Sequence, residues 1–206
     1  VGANDGMLHA FDASNGKELW GYIPSSVFSN LPALTSTSFT HKYYADGTAM
    51  VADTQTAAQT TSVPSPSWRT MLVGGLGGGG RGYYALDITQ QSSFSSMSES
   101  SLAGIPMWEF TNNQDSDLGY TFNEPSVDAV SGAFKQIAKV ADATTASGVW
   151  RVIVGNGYGS SANKAVLFFL DSETGAVSTK LVASTSASPD NGLSAPTPLD
   201  TDGDGL

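Results

Sequence analysis

The chain has 206 residues, a formal net charge of −10, 14% charged residues and no cysteine. Its acidity excludes nucleic acid, whose phosphates it would repel, and favours cations or neutral surfaces as partners. Lacking cysteine, it has no disulfide framework, zinc–thiolate centre or cysteine nucleophile, while a hydrophobic content of 40% with 23 glycines suits a turn-rich all-β fold with a sizeable core.

The sequence opens on Val1-Gly2, without an initiator Met or a leader, and reads as the tail of a strand. It stops at Leu206 inside an acidic run, so it is expected to be a piece of a longer protein. Ala3-Asn4-Asp5-Gly6 supplies turn chemistry. Leu8-His9-Ala10-Phe11-Asp12 then reads as a strand, Asn15-Gly16 as a turn, and the segment holding Leu19-Trp20 as the next strand. His9 and His41 are the only histidines; neither lies in a metalloprotease pattern and no G-x-S-x-G elbow is present, so both read as structural.

Thr48–Asp53 reads as a strand. Trp68-Arg69-Thr70-Met71-Leu72-Val73-Gly74 returns 82 residues later as Trp150-Arg151-Val152-Ile153-Val154-Gly155. The repetition predicts one blade position and buried packing for both tryptophans. After the first copy come seven glycines within nine residues, Gly74 to Gly82, spaced like a dinucleotide-binding loop. Such a loop must feed a helix whose N-terminal amides hold the anion. Here Tyr83-Tyr84-Ala85-Leu86-Asp87, of strand composition, follows, so the run reads as a hairpin turn. Asn156-Gly157-Tyr158-Gly159-Ser160 is the matching turn of the second copy, and Leu167–Asp171 the matching strand.

Further strands are expected around Met107-Trp108 and Lys180-Leu181. Glu124–Asp128 and Ala195–Asp200 resemble Thr48–Asp53 and are expected to be first strands of their units. Gln90–Leu102 and Ser184–Asn191 read as polar surface loops. No segment has convincing 3.6-residue periodicity over ~11 residues. The longest apolar run, Ala165–Leu170, is far short of the ~18 residues of a membrane-spanning helix. Asp12, Asp87 and Asp171 recur at one place in the unit, which suits turn closure through backbone N–H groups rather than catalysis.

A four-stranded unit of roughly 70 to 85 residues in tandem marks a β-propeller. The chain holds about three blades' worth: a partial blade and connection over 1–47, blades over 48–122 and 123–193, and the start of another over 194–206. That last segment contains Asp200-Thr201-Asp202-Gly203-Asp204-Gly205-Leu206, a D-x-D-x-D-G-x run. Carboxylates at alternate positions converge on one cation if the backbone curls, the glycine allows the sharp turn, and the next residue offers its carbonyl. The run is therefore a candidate calcium loop, with an acidic solvated turn as the other reading. Asn113, Asp115 and Asp117 form a second acidic group without the right glycine and read as a loop.

Val1–Trp20 resembles the blade motif of quinoprotein-like propellers. The ordered succession of Asn4–Asp12, Ile23-Pro24-Ser25, Leu31-Pro32-Ala33-Leu34, Trp68–Asp87, Asp117–Phe122 and Gly155-Asn156-Gly157-Tyr158 resembles the C-terminal propeller of the PilC/PilY family, the tip-associated adhesins of bacterial type IV pili. The resemblance covers essentially the whole chain. It implies a non-catalytic propeller with one Ca2+ in the full-length protein, held by Asp200, Asp202, Asp204, the Leu206 carbonyl and a carboxylate beyond this sequence. It also implies a secreted protein at the outer membrane and pilus tip. Its partners would be minor pilins, the pilus machinery and a host or abiotic surface. Its roles would be pilus assembly, control of retraction, attachment and twitching motility. Two other classes share the blade motif: a pyrroloquinoline quinone dehydrogenase, against which the lack of cysteine counts, and an extracellular carbohydrate- or matrix-binding propeller.

Overall fold

The computed structural model describes residues 1–56, 67–142, 145–183 and 191–202. Val1 and Gly2 extend a hairpin made of β1 (Leu8–Phe11) and β2 (Glu18–Tyr22), Gly2 bridging Leu8. A 3-10 segment, Ser25–Thr35, follows. Next come β3 (Met50–Gln55), β4 (Trp68–Gly75), β5 (Gly82–Asp87), the one-turn helix α1 (Glu99–Leu102) and β6 (Pro106–Thr111). A second series comprises β7 (Ile137–Asp142), β8 (Thr145–Gly155), β9 (Val166–Asp171) and β10 (Val177–Val182). β3 to β6 and β7 to β10 each form a four-stranded antiparallel sheet with neighbours in chain order, and β1–β2 a two-stranded one. These are tandem propeller blades in an incomplete ring, as the sequence repeats predict.

Alternation along each strand places the cores. Met71, Val73, Tyr83, Ala85, Trp108 and Phe110 of the first blade share one buried cluster with Val152, Val154, Phe168 and Leu170 of the second. The first blade's other face sends Tyr84 and Leu86 into a second cluster with Leu8, Trp20, Val27 and Phe94. The first blade is therefore covered on both faces. The ladders align the two blades: Met71 pairs with Asp87 as Arg151 pairs with Asp171. On this register Val73, Tyr83 and Ala85 correspond to Ile153, Leu167 and Phe169. Those three line a concavity of about 640 Å³ with Val140 and Pro196–Asp200, the second blade's counterpart of the face that the first blade buries.

Several sequence expectations need correcting. The first strand of the second blade is Ile137–Asp142, not Glu124–Asp128. Pro125 has no N–H to give a ladder, and Asp128 instead closes a tight turn: its N–H donates to Ala133 O at 2.8 Å, and Gly132 N–H donates to Asp128 O at 2.9 Å. Ala195–Asp200, broken by Pro196 and Pro198, also forms no strand. Gln90–Leu102 is more than a polar loop, because its 3-10 and α turns bury Phe94, whose ring meets Trp20 edge-on at 5.9 Å. Residues 184–190 of the other expected loop lie outside the described residues.

The tryptophans are displaced relative to each other. By ladder register Trp150 matches Thr70, so Trp68 sits two residues further out, beside Gln55 at the end of β4. Trp68 is 57% exposed, whereas Trp150 packs partly buried against the interblade cluster. Their rings touch edge-on at 6.1 Å. Trp150→Ala is therefore expected to lower stability by about 3 kcal/mol and Trp68→Ala by roughly half that. Urea denaturation of the two variants measures the difference, and equal losses would contradict it.

Candidate functional site

The expected glycine turn joins β4 to β5. It is built around a strand of chain that crosses it. Asp46 N–H donates to Leu76 O at 3.2 Å, and the Gly78 amide donates to an Asp46 carboxylate oxygen at 3.2 Å. A side chain on Gly79 would collide with the Tyr44 carbonyl. The run thus holds a carboxylate of its own chain, and its glycines admit the crossing backbone.

The second blade repeats the crossing with different residues. Gly119 and Tyr120 donate to the carbonyls of Asn156 and Tyr158, both at 2.8 Å, and Gly157 donates to Leu193 O at 2.9 Å. Gly157 has φ +64°, with the Tyr120 carbonyl where a Cβ would lie. Between the blades, Thr121 Oγ1 accepts from Leu76 N–H and donates to Gly82 O, both at 2.8 Å.

The recurrent aspartates close turns, as their spacing predicts. Asp12 Oδ1 accepts from Ser14 N–H at 2.8 Å, Asp87 Oδ1 from Thr89 N–H at 3.0 Å, and Asp171 Oδ1 from Glu173 and Thr174 N–H at 3.1 Å. The hydroxyl and amide of Ser14 hold the Asp12 carboxyl below its ordinary pKa. The remaining oxygens of Asp87 and Asp171 take Arg69 and Arg151 at 2.9 and 2.8 Å. Arg69 also reaches Glu173 of the second blade at 2.9 Å. Burial is the main cause raising the Glu173 pKa, with Arg69 acting against it. Asp115 and Asp117, expected only as a loop, clamp Lys180 at 2.8 and 2.7 Å.

His9 lies between two carboxylates, Nδ1 2.6 Å from Glu18 Oε1 and Nε2 2.9 Å from Asp5 Oδ2. Both nitrogens donate only in the imidazolium form, so these contacts, the Glu18 hydrogen bond foremost, raise the His9 pKa above its usual value. A raised folded pKa gives stabilisation that is complete below ~6.5 and fades as pH rises through the folded value. NMR titration of His9 is expected to give a midpoint above ~6.5 that falls in Glu18→Gln; a midpoint unmoved by that substitution would count against the clamp. His41 instead meets Asn4 Nδ2 at 3.2 Å and the Tyr43 ring edge-on at 5.0 Å.

Of the candidate calcium loop, Asp200 and Asp202 are described and both are exposed; Asp204 and Leu206 lie outside the described residues. Among the described residues no three His, Cys, Asp or Glu side chains converge as a metal centre. The chemistry of Asp200 and Asp202 fits a hard cation, with oxygen donors two residues apart on a backbone that bends at Thr201–Asp202. Asp200 also borders the concavity on the open face of the second blade. No helix among the described residues is long and apolar enough to cross a membrane.

Tandem four-stranded blades, tied by crossing links and arginine–aspartate turns, define a β-propeller protein. The PilY1 beta-propeller domain family matches residues 1–206. The type IV pilus biogenesis factor PilY1 of Pseudomonas aeruginosa (strain UCBPP-PA14) is 37% identical over 209 residues, covering 100% of this chain and 15% of that protein. A PilY1 homolog of Xylella fastidiosa is 38% identical over 215 residues, covering 100% of this chain and 12% of that protein. The crystal structure of the Pseudomonas aeruginosa PilY1 C-terminal domain superimposes with a TM-score of 0.70 at 35% identity, covering 100% of this chain and 34% of that one. This chain belongs to the PilY1 β-propeller family. It spans 15% or less of the length of these curated relatives.

Proposed function

We propose that this chain is part of the non-catalytic, calcium-binding propeller of a type IV pilus biogenesis factor. The protein acts at the cell surface, at the pilus tip, with minor pilins and the pilus machinery as partners. It supports assembly, attachment to host or abiotic surfaces and twitching motility, and it opposes retraction when calcium is bound. The observation that carries this reading is the match of all 206 residues to the PilY1 propeller family. The non-catalytic reading is supported by the histidines and recurrent aspartates, which are engaged in turns and ion pairs.

The calcium reading rests on D-x-D-x-D-G-x spacing. Asp200, Asp202 and Asp204 would supply side-chain oxygens and Leu206 its carbonyl, with a further carboxylate completing the set. A bound calcium supplies a fixed positive centre that draws mutually repelling carboxylates into one turn. Because Asp200 borders the open blade face, ordering the loop fixes the Pro196–Leu199 lip beside it. Among the described residues no helix leads into the loop, the chain being non-helical from residue 191 to residue 202, so the response is local ordering that a partner distinguishes. In the full-length protein Asp204→Ala is expected to weaken calcium binding at least tenfold by calorimetry and to alter retraction, while the circular dichroism of the propeller is unchanged. Equal affinity in the two proteins would reduce the run to an acidic turn.

A further inference from the structure

The link entering the second blade and the turn between β8 and β9 carry a group of aromatic rings outside both cores. Tyr158 stacks on Tyr120 at 5.4 Å between ring centroids and on Phe122 at 5.5 Å. Tyr158 is 52% exposed and Phe122 44%. The Arg81 guanidinium lies over the Tyr120 ring, 5.3 Å from its centroid. Backbone geometry sets the rings in place. Tyr120 N–H donates to Tyr158 O at 2.8 Å, and Tyr158 sits between Gly157 and Gly159, at φ +64° and +71°.

Arg81 is the unusual member. In a chain with net charge −10 it makes no ion pair with any described residue, whereas the other two arginines, Arg69 and Arg151, both do. A guanidinium stacked on a ring keeps its N–H donors in its own plane, free to take a carboxylate through two parallel hydrogen bonds.

We propose that Arg81, Tyr120, Phe122 and Tyr158 form a binding surface for the end of a glycan that carries a single carboxylate, a sialic or uronic acid residue. Electron-rich ring faces attract the polarised C–H groups of a pyranose, and Arg81 takes the carboxylate. Phe122 also borders a small cavity with Asp46 and Glu124. Those two carboxylates accept from sugar hydroxyls and, with the net charge, repel a polyanion. A peptide suits the surface less. Bound peptides commonly draw on free main-chain groups, as at a sheet edge. Here the N–H groups of Tyr120, Phe122, Asn123 and Gly157 already donate to the carbonyls of Tyr158, Tyr120, Thr121 and Leu193. What the surface offers is ring faces, phenol hydroxyls and a guanidinium. Rings with few torsions lose little entropy when they bind. Such a glycan is the kind of host-surface ligand that the proposed attachment role requires, and its biological setting rests on that role.

The test is saturation-transfer NMR and calorimetry of the full-length protein with sialyllactose, methyl glucuronide, lactose and an acidic proline-rich peptide. At least one carboxylated sugar is expected to bind, with lactose weaker by roughly tenfold or more. The tighter of the two carboxylated sugars identifies the acid that the surface takes. Arg81→Gln is expected to bring that sugar down to the level of lactose, and Phe122→Ala to weaken both by about tenfold. Both substitutions lie outside the buried clusters, and Arg81→Gln breaks no ion pair among the described residues, so the circular dichroism is expected to be unchanged. Binding of neither carboxylated sugar, equal binding of lactose, or affinity unmoved by both substitutions would overturn the proposal. Tighter binding of the peptide would also overturn it and give the surface to a protein partner. The pilus role is judged separately, by whether cells lacking the full-length protein still assemble pili, so either can fail while the other stands.

Discussion

Asn156→Ala is expected to lower the unfolding free energy by about 3–5 kcal/mol, one of the largest single-residue losses in the chain. Asn156 is fully buried. Its Nδ2 donates to the carbonyls of Asp117 and Lys164, both at 2.8 Å. Its Oδ1 accepts from Val166 N–H at 3.0 Å and Leu193 N–H at 2.9 Å. The one side chain thus joins the link entering the second blade, the turn between β8 and β9, and the link leaving that blade. Alanine removes every one of these partners, and each buried backbone group left unmet carries a desolvation penalty of about 1–3 kcal/mol, reduced where water can enter. Asn156→Asp keeps acceptors but turns them toward the two carbonyls and buries a charge, so it is expected to be no better than alanine. Urea denaturation measures both. A loss below about 1 kcal/mol for alanine would show that water replaces the amide without penalty.

This residue shows where a single sequence stops being informative. Asn156 lies in a turn whose Asn and Gly composition predicts a hairpin, and the hairpin is there. Its second role depends on residues 39 and 37 positions away, and nothing in local spacing marks them. The first blade carries out the same task differently. There the equivalent turn begins with Leu76, and the Thr121 hydroxyl satisfies Leu76 N–H. A motif search cannot find a position filled by an amide in one blade and by a hydroxyl from elsewhere in the next.

Alternating apolar strands, Asp-closed turns and the glycine hairpin are short-range features, and each appears where its residues are. The strand at Glu124–Asp128 failed because likeness to Thr48–Asp53 outweighed Pro125 and the turn chemistry of Asp128 and Gly132. The Trp-Arg repeat led to a related error. Arg69 and Arg151 both reach the turn aspartate of their own blade. They do so from ladder positions two residues apart, because a long side chain can span that shift. An indole cannot, so Trp68 is left facing solvent while Trp150 meets the core. Of the candidate metal loop, the sequence gives donor types and spacing, and the structure adds the position of Asp200 at the rim of an open blade face.

The packing between blades leads to the other large effect. Phe168→Ala is expected to destabilise the chain by about 3–5 kcal/mol. Phe168 is fully buried in the cluster that both blades build. Its ring meets Phe110 of the first blade edge-on at 5.3 Å, and Lys180 Nζ lies 5.5 Å from its centroid. Alanine removes dispersion contacts on two sides, and neighbouring rigid strands close such a gap poorly. A repeat array gains stability from each repeat plus each interface. Here the interface supplies one whole face of the first blade's core, so the two sheets are expected to unfold together. Hydrogen exchange should then show amides of β4 and β5 losing protection along with those of β8 and β9 in the Phe168→Ala protein. Loss confined to β8 and β9, with β4 and β5 as protected as before, would mean that the blades are independent units joined only by their links.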